Sequence, residues 1–287
     1  MHTQPLLRTA AIVIAMVATS ACAMSGDVAH ADSTAGADTT AAAPHEMHVV
    51  ARDFAFEIPD TVPAGMTTIR LENEGPDMHH FFLVKLAEGK TLDNLLAETK
   101  GDALPEWAVP VGGPNTPVPG GESAITVELE PGRYAALCVI PAPDGIPHVA
   151  KGMSTSFEVV ASDIRTAPPE ADIVMTLVDY DFQLSAPLTA GEHVIEVRTD
   201  APQPHEILLV QLAPGKSLND MMEWIAKPNG PPPGAPIGGT VGIAPGRVNL
   251  MPVNLQPGEY ALVCFLPDHK DGKPHFMHGM MKQITVS

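Results

Sequence analysis

The sequence predicts an all-β protein: two tandem β-sandwich domains, each with a short helical insertion. Three observations predict it. Apolar and polar residues alternate at the period of a strand, with Ile69 and Leu71 on one face and Thr68 and Arg70 on the other between Met66 and Asn73. Thirty prolines and 24 glycines in a 287-residue chain that is 45% hydrophobic call for many short strands joined by turns. Residues 46–160 and 173–287 align at a constant offset of 126 over most of their length.

In chain order, residues 1–23 read as an export signal: a short segment ending at Arg8, an apolar run from Ala10 to Ala18, then Thr19, Ser20 and Ala21. The run is too short to span a bilayer. Cys22 offers the alternative of a lipidated first residue in a bacterial lipoprotein. The expected location is therefore periplasmic or extracellular, with contact to a membrane only through Cys22. Residues 24–45 are dominated by Ala, Thr, Asp, Ser and Gly and bury too little apolar surface to order themselves, so they read as a tether. The formal charge of −18 argues against nucleic acid as a partner, because phosphates are bound through basic patches.

The repeat is carried by short blocks in register. His79 with Leu83-Val84-Lys85-Leu86 answers His205 with Leu209-Val210-Gln211-Leu212, and Val111-Gly112-Gly113 answers Ile237-Gly238-Gly239. Pro131-Gly132-Arg133-Tyr134 runs into Cys138 as Pro257-Gly258-Glu259-Tyr260 runs into Cys264. The unit is far longer than a solenoid repeat, which makes it a duplicated domain with residues 161–172 as the linker. Within each copy, Ile125, Val127 and Leu129 alternate as a half-buried strand, and the chain closes on Ser156 to Val160 or Gln283 to Val286. Thr91 and Ser217 are good N-caps for one helix per copy, Leu92 to Thr99 and Leu218 to Ala226, with Asp220 at the third helical position. The Pro/Gly-rich stretches Pro105 to Gly121 and Pro228 to Gly246 are expected to be loops.

Exported chains normally pair their thiols, yet each copy holds a single cysteine, so neither forms an internal disulfide. A buried inert thiol or a bridge between Cys138 and Cys264 are the plain alternatives. The functional alternative is a metal ligand. The first copy supplies His79, then Cys138-x9-His148-x4-Met153, and the second supplies His205, then Cys264-x10-His275-x4-Met280. Two imidazoles, one thiolate and a weak thioether suit copper, since sulfur favours Cu(I) and nitrogen favours Cu(II). Met277, Met281 and His278 are rival ligands in the second copy, while His80 and His269 lack counterparts and are expected at the surface. His45, Met47 and His48 form a further His/Met cluster ahead of the first strand.

The stretch FEIPDTVPAGMTTIRLENEGPDMH, Phe56 to His79, resembles the cupredoxin run from an early strand through a Gly turn to an Asn-x-Gly loop and the first His ligand. PGRYAALC and PGEYALVC resemble that family's penultimate strand, and His148 with Met153 or His275 with Met280 resembles its closing ligand loop. The resemblance to the plastocyanin and azurin family covers both copies. It implies Greek-key sandwiches with copper bound at one end, up to two ions per chain, and a redox partner protein or a copper-handling protein as partner. Two departures stand out. The family places roughly two to four residues between Cys and the second His, against nine and ten here, and the second copy has Thr199-Asp200-Ala201 in place of Asn-x-Gly. The expected function is one-electron transfer without catalysis, because the His-x-His and His-Cys-His clusters of copper oxidases are missing from the sequence. Copper buffering or delivery, and a metal-free interaction module, are the alternatives.

Overall fold

The computed structural model describes residues 41–99 and 103–287; the expected export signal, Cys22 and most of the tether lie outside the described residues. In the first copy β1 (His45–Arg52), β2 (Ala55–Glu57), β3 (Thr61–Pro63), β4 (Gly65–Asn73) and β5 (Phe82–Leu86) precede the helix α1 (Leu92–Glu98). Then come β6 (Ala108–Gly112), β7 (Glu122–Leu129), β8 (Gly132–Leu137) and β9 (Ser154–Val160). The second copy runs β10 (Ile173–Val178), β11 (Asp181–Leu184), β12 (Gly191–Thr199), β13 (His205–Leu212), α2 (Leu218–Ala226), β14 (Gly234–Ile243), β15 (Val248–Leu255), β16 (Gly258–Val263) and β17 (Met281–Val286). The fold is all-β, as its alternation predicts. No described helix is long and apolar enough to cross a membrane.

Both sheets run through both copies. One has the order β11-β10-β12-β15-β7-β4-β1-β2 and the other β17-β16-β13-β14-β6-β5-β8-β9-β3. At each join a strand meets its own counterpart: β15 pairs with β7 through Leu250 and Thr126, and β14 pairs with β6 through Ile243 and Val111. The pairing of Pro117 with Ile237 repeats that of Val111 with Ile243 with the copies exchanged, and Pro114 faces Thr240, its own equivalent. The Asn115 amide donates to the Gly239 carbonyl at 3.0 Å and the Val241 amide to that of Gly113 at 2.9 Å, the same exchange again. The contact is thus isologous, the arrangement a homodimer would use, built here inside one chain.

These joins correct the reading of Pro105 to Gly121 and Pro228 to Gly246 as loops. Each stretch contains a strand, β6 or β14, and β14 is ten residues long. Glycine both hid and made these strands. Gly113 (φ +115°) and Gly239 (φ +131°) lie so close to β5 and β13 that a Cβ would sit 2.1 Å from the Phe81 carbonyl oxygen and 1.9 Å from that of Ile207. Only glycine combines that backbone angle with that approach. Asn249 locks the join, donating to the Val111 carbonyl and accepting from Thr240.

The sandwich interior holds Ile69, Leu71, Ile125, Tyr134 and Phe157 in the first copy and Ile195, Val197, Met251, Tyr260 and Leu262 in the second. Each tyrosine hydroxyl returns to the chain before its Pro-Gly turn, donating to the Glu130 or Gln256 carbonyl at 2.9 Å. This tyrosine corner anchors the strand that delivers the cysteine. The helices pack outside: Leu95 of α1 meets Phe82, Val84 and Leu86, the outward residues of β5. Both helices open with a capping box, Thr91 with Asn94 and Ser217 with Asp220, and each N-cap contributes about 1 kcal/mol. The segment expected as a linker is tied down in part, since the Ala42 amide donates to the Arg165 carbonyl and Thr166 accepts from the Met66 amide.

Candidate metal centre

His79, Cys138 and His148 come together at one end of the first copy, and His205, Cys264 and His275 do the same in the second. Cys138 follows β8, and its amide donates to the Met153 carbonyl at 3.1 Å. Its own carbonyl accepts from Val149 at 2.7 Å. His148 opens a single 3-10 turn, His148–Lys151, that Gly152 ends in the left-handed conformation (φ +103°). The Met153 amide then donates back to the His148 carbonyl at 3.0 Å, so the loop is closed on itself by backbone bonds.

The long Cys-to-His spacing is absorbed by an excursion. Pro141 bridges to Pro147, the Ala142 amide donates to the Ile146 carbonyl, and the His148 amide donates to the Ile140 carbonyl at 2.9 Å. The extra residues therefore leave and return at one point, and His148 stands next to Cys138 as if the loop were short. The second copy repeats this with Pro267 and Pro274, and with the His275 amide donating to the Leu266 carbonyl at 2.8 Å.

The donor atoms converge. His79 Nδ1 lies 3.0 Å from His148 Nδ1, and Cys138 Sγ lies 3.4 Å from the latter and 4.0 Å from the former. In the second copy the Nδ1 atoms of His205 and His275 are 3.0 Å apart, with Cys264 Sγ 3.3 Å from His275. All six of these residues are fully buried. Met153 and Met280 are buried as completely, in the same core cluster as the cysteines, while Met277 (61%) and Met281 (37%) face solvent. His45 and His48 sit on β1 with Met47 buried in the core between them.

Burial makes these groups poor charge carriers on their own. It pushes the Cys138 thiol up to about 11 and that of Cys264 well above its usual range, the latter helped by the Glu206 charge. It lowers His205 and His148 and takes His275 down to about 4, in the last two cases with His-His repulsion adding to the burial. Neutral imidazoles are ready lone-pair donors, and a bound cation would reverse the penalty on the thiolate. Cys138 and Cys264 are both free thiols, so no bridge joins them. Two Nδ1 atoms and a sulfur within 4.8 Å of one another fit a soft, tightly held metal ion.

Several residues of the site escaped the sequence reading. Asp53 Oδ1 accepts from His79 Nε2 at 2.8 Å, and Asp179 Oδ1 from His205 Nε2 at 2.7 Å. Each fixes its imidazole with Nδ1 free for a ligand bond. Asp53 and Asp179 recur at the repeat offset of 126, each followed by an aromatic residue, and that register was the available signal. His80, expected at the surface, is buried: its Nε2 accepts from the Val139 amide at 3.0 Å. Its equivalent, Glu206, accepts from the Phe265 amide at 2.9 Å. His269 is exposed, as expected.

No family model matches the chain, and no curated protein matches it. Among solved structures it is similar to the dithionite-reduced auracyanin of the photosynthetic bacterium Roseiflexus castenholzii, at 25% identity over 41% of this chain and 98% of that one, TM-score 0.28. It is also similar to the blue copper oxidase of Nitrosomonas europaea, at 15% identity over 85% of this chain and 86% of that one, TM-score 0.25. A third likeness is to the copper-containing nitrite reductase of Thermus scotoductus, at 12% identity over 85% of this chain and 62% of that one, TM-score 0.24.

Proposed function

We propose that this is an exported, cupredoxin-like copper protein with one mononuclear site per copy, serving one-electron transfer rather than catalysis. The ligands are His79, Cys138, His148 and Met153 in the first copy and His205, Cys264, His275 and Met280 in the second. The observation that carries the reading is the twofold occurrence of two imidazole Nδ1 atoms 3.0 Å apart with a buried thiol sulfur 3.3 to 3.4 Å from one of them. When bound, copper would supply a one-electron couple. The chain supplies a cage that does not need to move: each Cys and each loop histidine is held by backbone bonds, the other two imidazoles by carboxylates, and all six are sealed from water. Little rearrangement between oxidation states is what fast transfer requires.

A partner surface is available at the first copy. Met78, Val139 and Ile146 are 41%, 39% and 46% exposed, and each lies within two residues of a ligand in sequence. Apolar residues around a buried centre suit brief docking of a redox partner protein. The exposed Met277 and Met281 favour a second reading, copper delivery to a copper-handling protein. The two readings are separated by optical and spin-resonance spectra of the copper-loaded chain. An intense thiolate-to-copper absorption that falls stepwise in Cys138→Ser and Cys264→Ser supports electron transfer. Tight Cu(I) binding without that band supports delivery. Absence of stoichiometric copper refutes both.

A further inference from the structure

At the join between the copies, β7 and β15 pair only through Leu250 and Thr126. To one side of that pair, between residues 122–124 of β7 and 251–254 of β15, a recess of about 850 Å³ opens to solvent. Leu209, Ile237 and Met251 give it apolar walls, and the side-chain amides of Gln211, Asn254 and Gln256 stand around them. Its rim is acidic, with the carboxylates of Glu122, Glu170, Asp172 and Glu192 against Arg70 and His193. Arg70 lies 3.2 Å from Glu122 and His193 Nδ1 lies 2.5 Å from Asp172, which leaves Glu170 and Glu192 without an ion pair among the described residues. We propose that this recess receives the arginine side chain of a basic segment of a partner protein.

The first copy shows the same place served by an arginine of this chain. Exchanging the copies about the join carries Gln256 and Tyr260, which line the recess, onto Glu130 and Tyr134. Arg247, from the turn before β15 of the other copy, brings its charge to both. It joins Lys85 in holding the Glu130 carboxyl below its usual range, and it acts on the Tyr134 hydroxyl, which burial raises to about 12. The equivalent of Arg247 is Gly121, which has no side chain to offer the second copy. The two residues hold the same place in their turns, the Gly121 amide donating to the Val118 carbonyl at 2.9 Å and the Arg247 amide to that of Ala244 at 3.1 Å. Lys85, Glu128 and Glu130 become Gln211, Asn254 and Gln256. With Arg247 to Gly121 these exchanges remove two charges of each sign, so the acidity of the recess comes from its rim, where Glu192 stands for Met66. The volume lies within the usual range of ligand pockets and is far larger than one arginine side chain, so residues flanking the arginine enter with it. The formal charge of −18 draws a basic segment towards the chain.

The test titrates the full chain with a blocked Ala-Ala-Arg-Ala-Ala peptide, with its Gln counterpart and with butylguanidinium, following the methyl resonance of Met251, assigned through Met251→Leu. The expected result is a saturable shift with the Arg peptide and binding about 10-fold weaker with the Gln peptide and with butylguanidinium. Glu192→Gln should weaken the Arg peptide about 2- to 5-fold, while Glu88→Gln, at an exposed carboxylate outside the recess, should leave it unchanged. Gly121→Arg combined with Val118→Ala builds the first copy's arrangement into the second, since Ala244 stands for Val118, and clears the Val118 side chain that a Cβ at position 121 would meet at 3.2 Å. That variant should lose the shift with its near-ultraviolet dichroism intact. Equal binding of the Arg and Gln peptides, undiminished binding in the folded Gly121→Arg/Val118→Ala chain, or no saturable binding to the wild type would overturn the proposal. Butylguanidinium binding as tightly as the Arg peptide would overturn it too, by giving the recess to a small cation. No readout depends on bound copper, so the fate of the copper reading leaves this one untouched.

Discussion

Glu206 gives the sharpest quantitative test of how the site's surroundings act on the fold. Its carboxyl is buried against the backbone just beyond Cys264, and burial raises it from 4.5 to about 7 despite the hydrogen bond from Phe265. The folded state therefore keeps a proton that the unfolded state gives up above pH 4.5. The associated stability is fully present below pH 4.5 and is lost as pH rises to about 7. A shift of roughly 2.5 units at 1.36 kcal/mol per unit sets the loss at about 3 kcal/mol. Glu206→Gln keeps an acceptor for the Phe265 amide and removes the titration. Urea unfolding of the metal-free, reduced chain from pH 4.5 to 8 should show the two proteins close together at the acid end, with Gln ahead by about 3 kcal/mol at the alkaline end. The other titrating groups are common to both and cancel. An advantage of Gln that does not change with pH refutes the reasoning, because it would place Glu206 at an ordinary carboxylate value.

Two further outcomes follow from geometry. Asp53→Asn or Asp179→Asn should weaken copper at the site of its own copy by about 10- to 100-fold and leave the other unchanged, read by competition with a chelator. Gly239→Ala should cost about 2 to 6 kcal/mol, since it adds strain at positive φ to a collision with the Ile207 carbonyl. Gly246→Ala, at φ +77° with open space around it, should cost only about 1 to 2 kcal/mol in the same thermal unfolding series.

The contrast between those two glycines also explains what could be read from the chain beforehand. Alternation located β4 and β7, and caps located α1 and α2 to within a residue at each end, because those signals are local. The strands β6 and β14 were invisible because nothing local makes them: Pro and Gly dominate, and pairing across the two copies holds them in place. The two His/Cys/His groups that converge in the structure were singled out by a coincidence of register between copies, which filters out histidines without a counterpart. Asp53 and Asp179 share that register, but a lone acidic residue at a strand end carries no chemical signature until its imidazole is seen. His80 was misplaced for the opposite reason. Its counterpart is Glu206, so comparison of the copies suggested a free surface where the structure has a buried acceptor serving the same amide.

That substitution bears on whether the two centres are alike. The inner donors are matched to within 0.1 Å in their closest contacts, so any difference between them must come from what lies around them. Beneath the first cysteine the acceptor is His80, which burial, reinforced by His148 and His79, holds down at about 3 and therefore neutral. Beneath the second it is a carboxyl that burial leaves at about 7, so near neutral pH it carries part of a negative charge beside Cys264. On the far side of the loop histidine each copy has one carboxylate at the same 3.8 Å, Asp268 buried beside His275 and Asp77 more exposed beside His148. A more negative, poorly solvated setting favours the higher charge state of any bound ion. Duplication has preserved the cage while its surroundings have diverged: a neutral imidazole gives way to a carboxyl beneath the cysteine, and an exposed carboxylate gives way to a buried one beside the loop histidine.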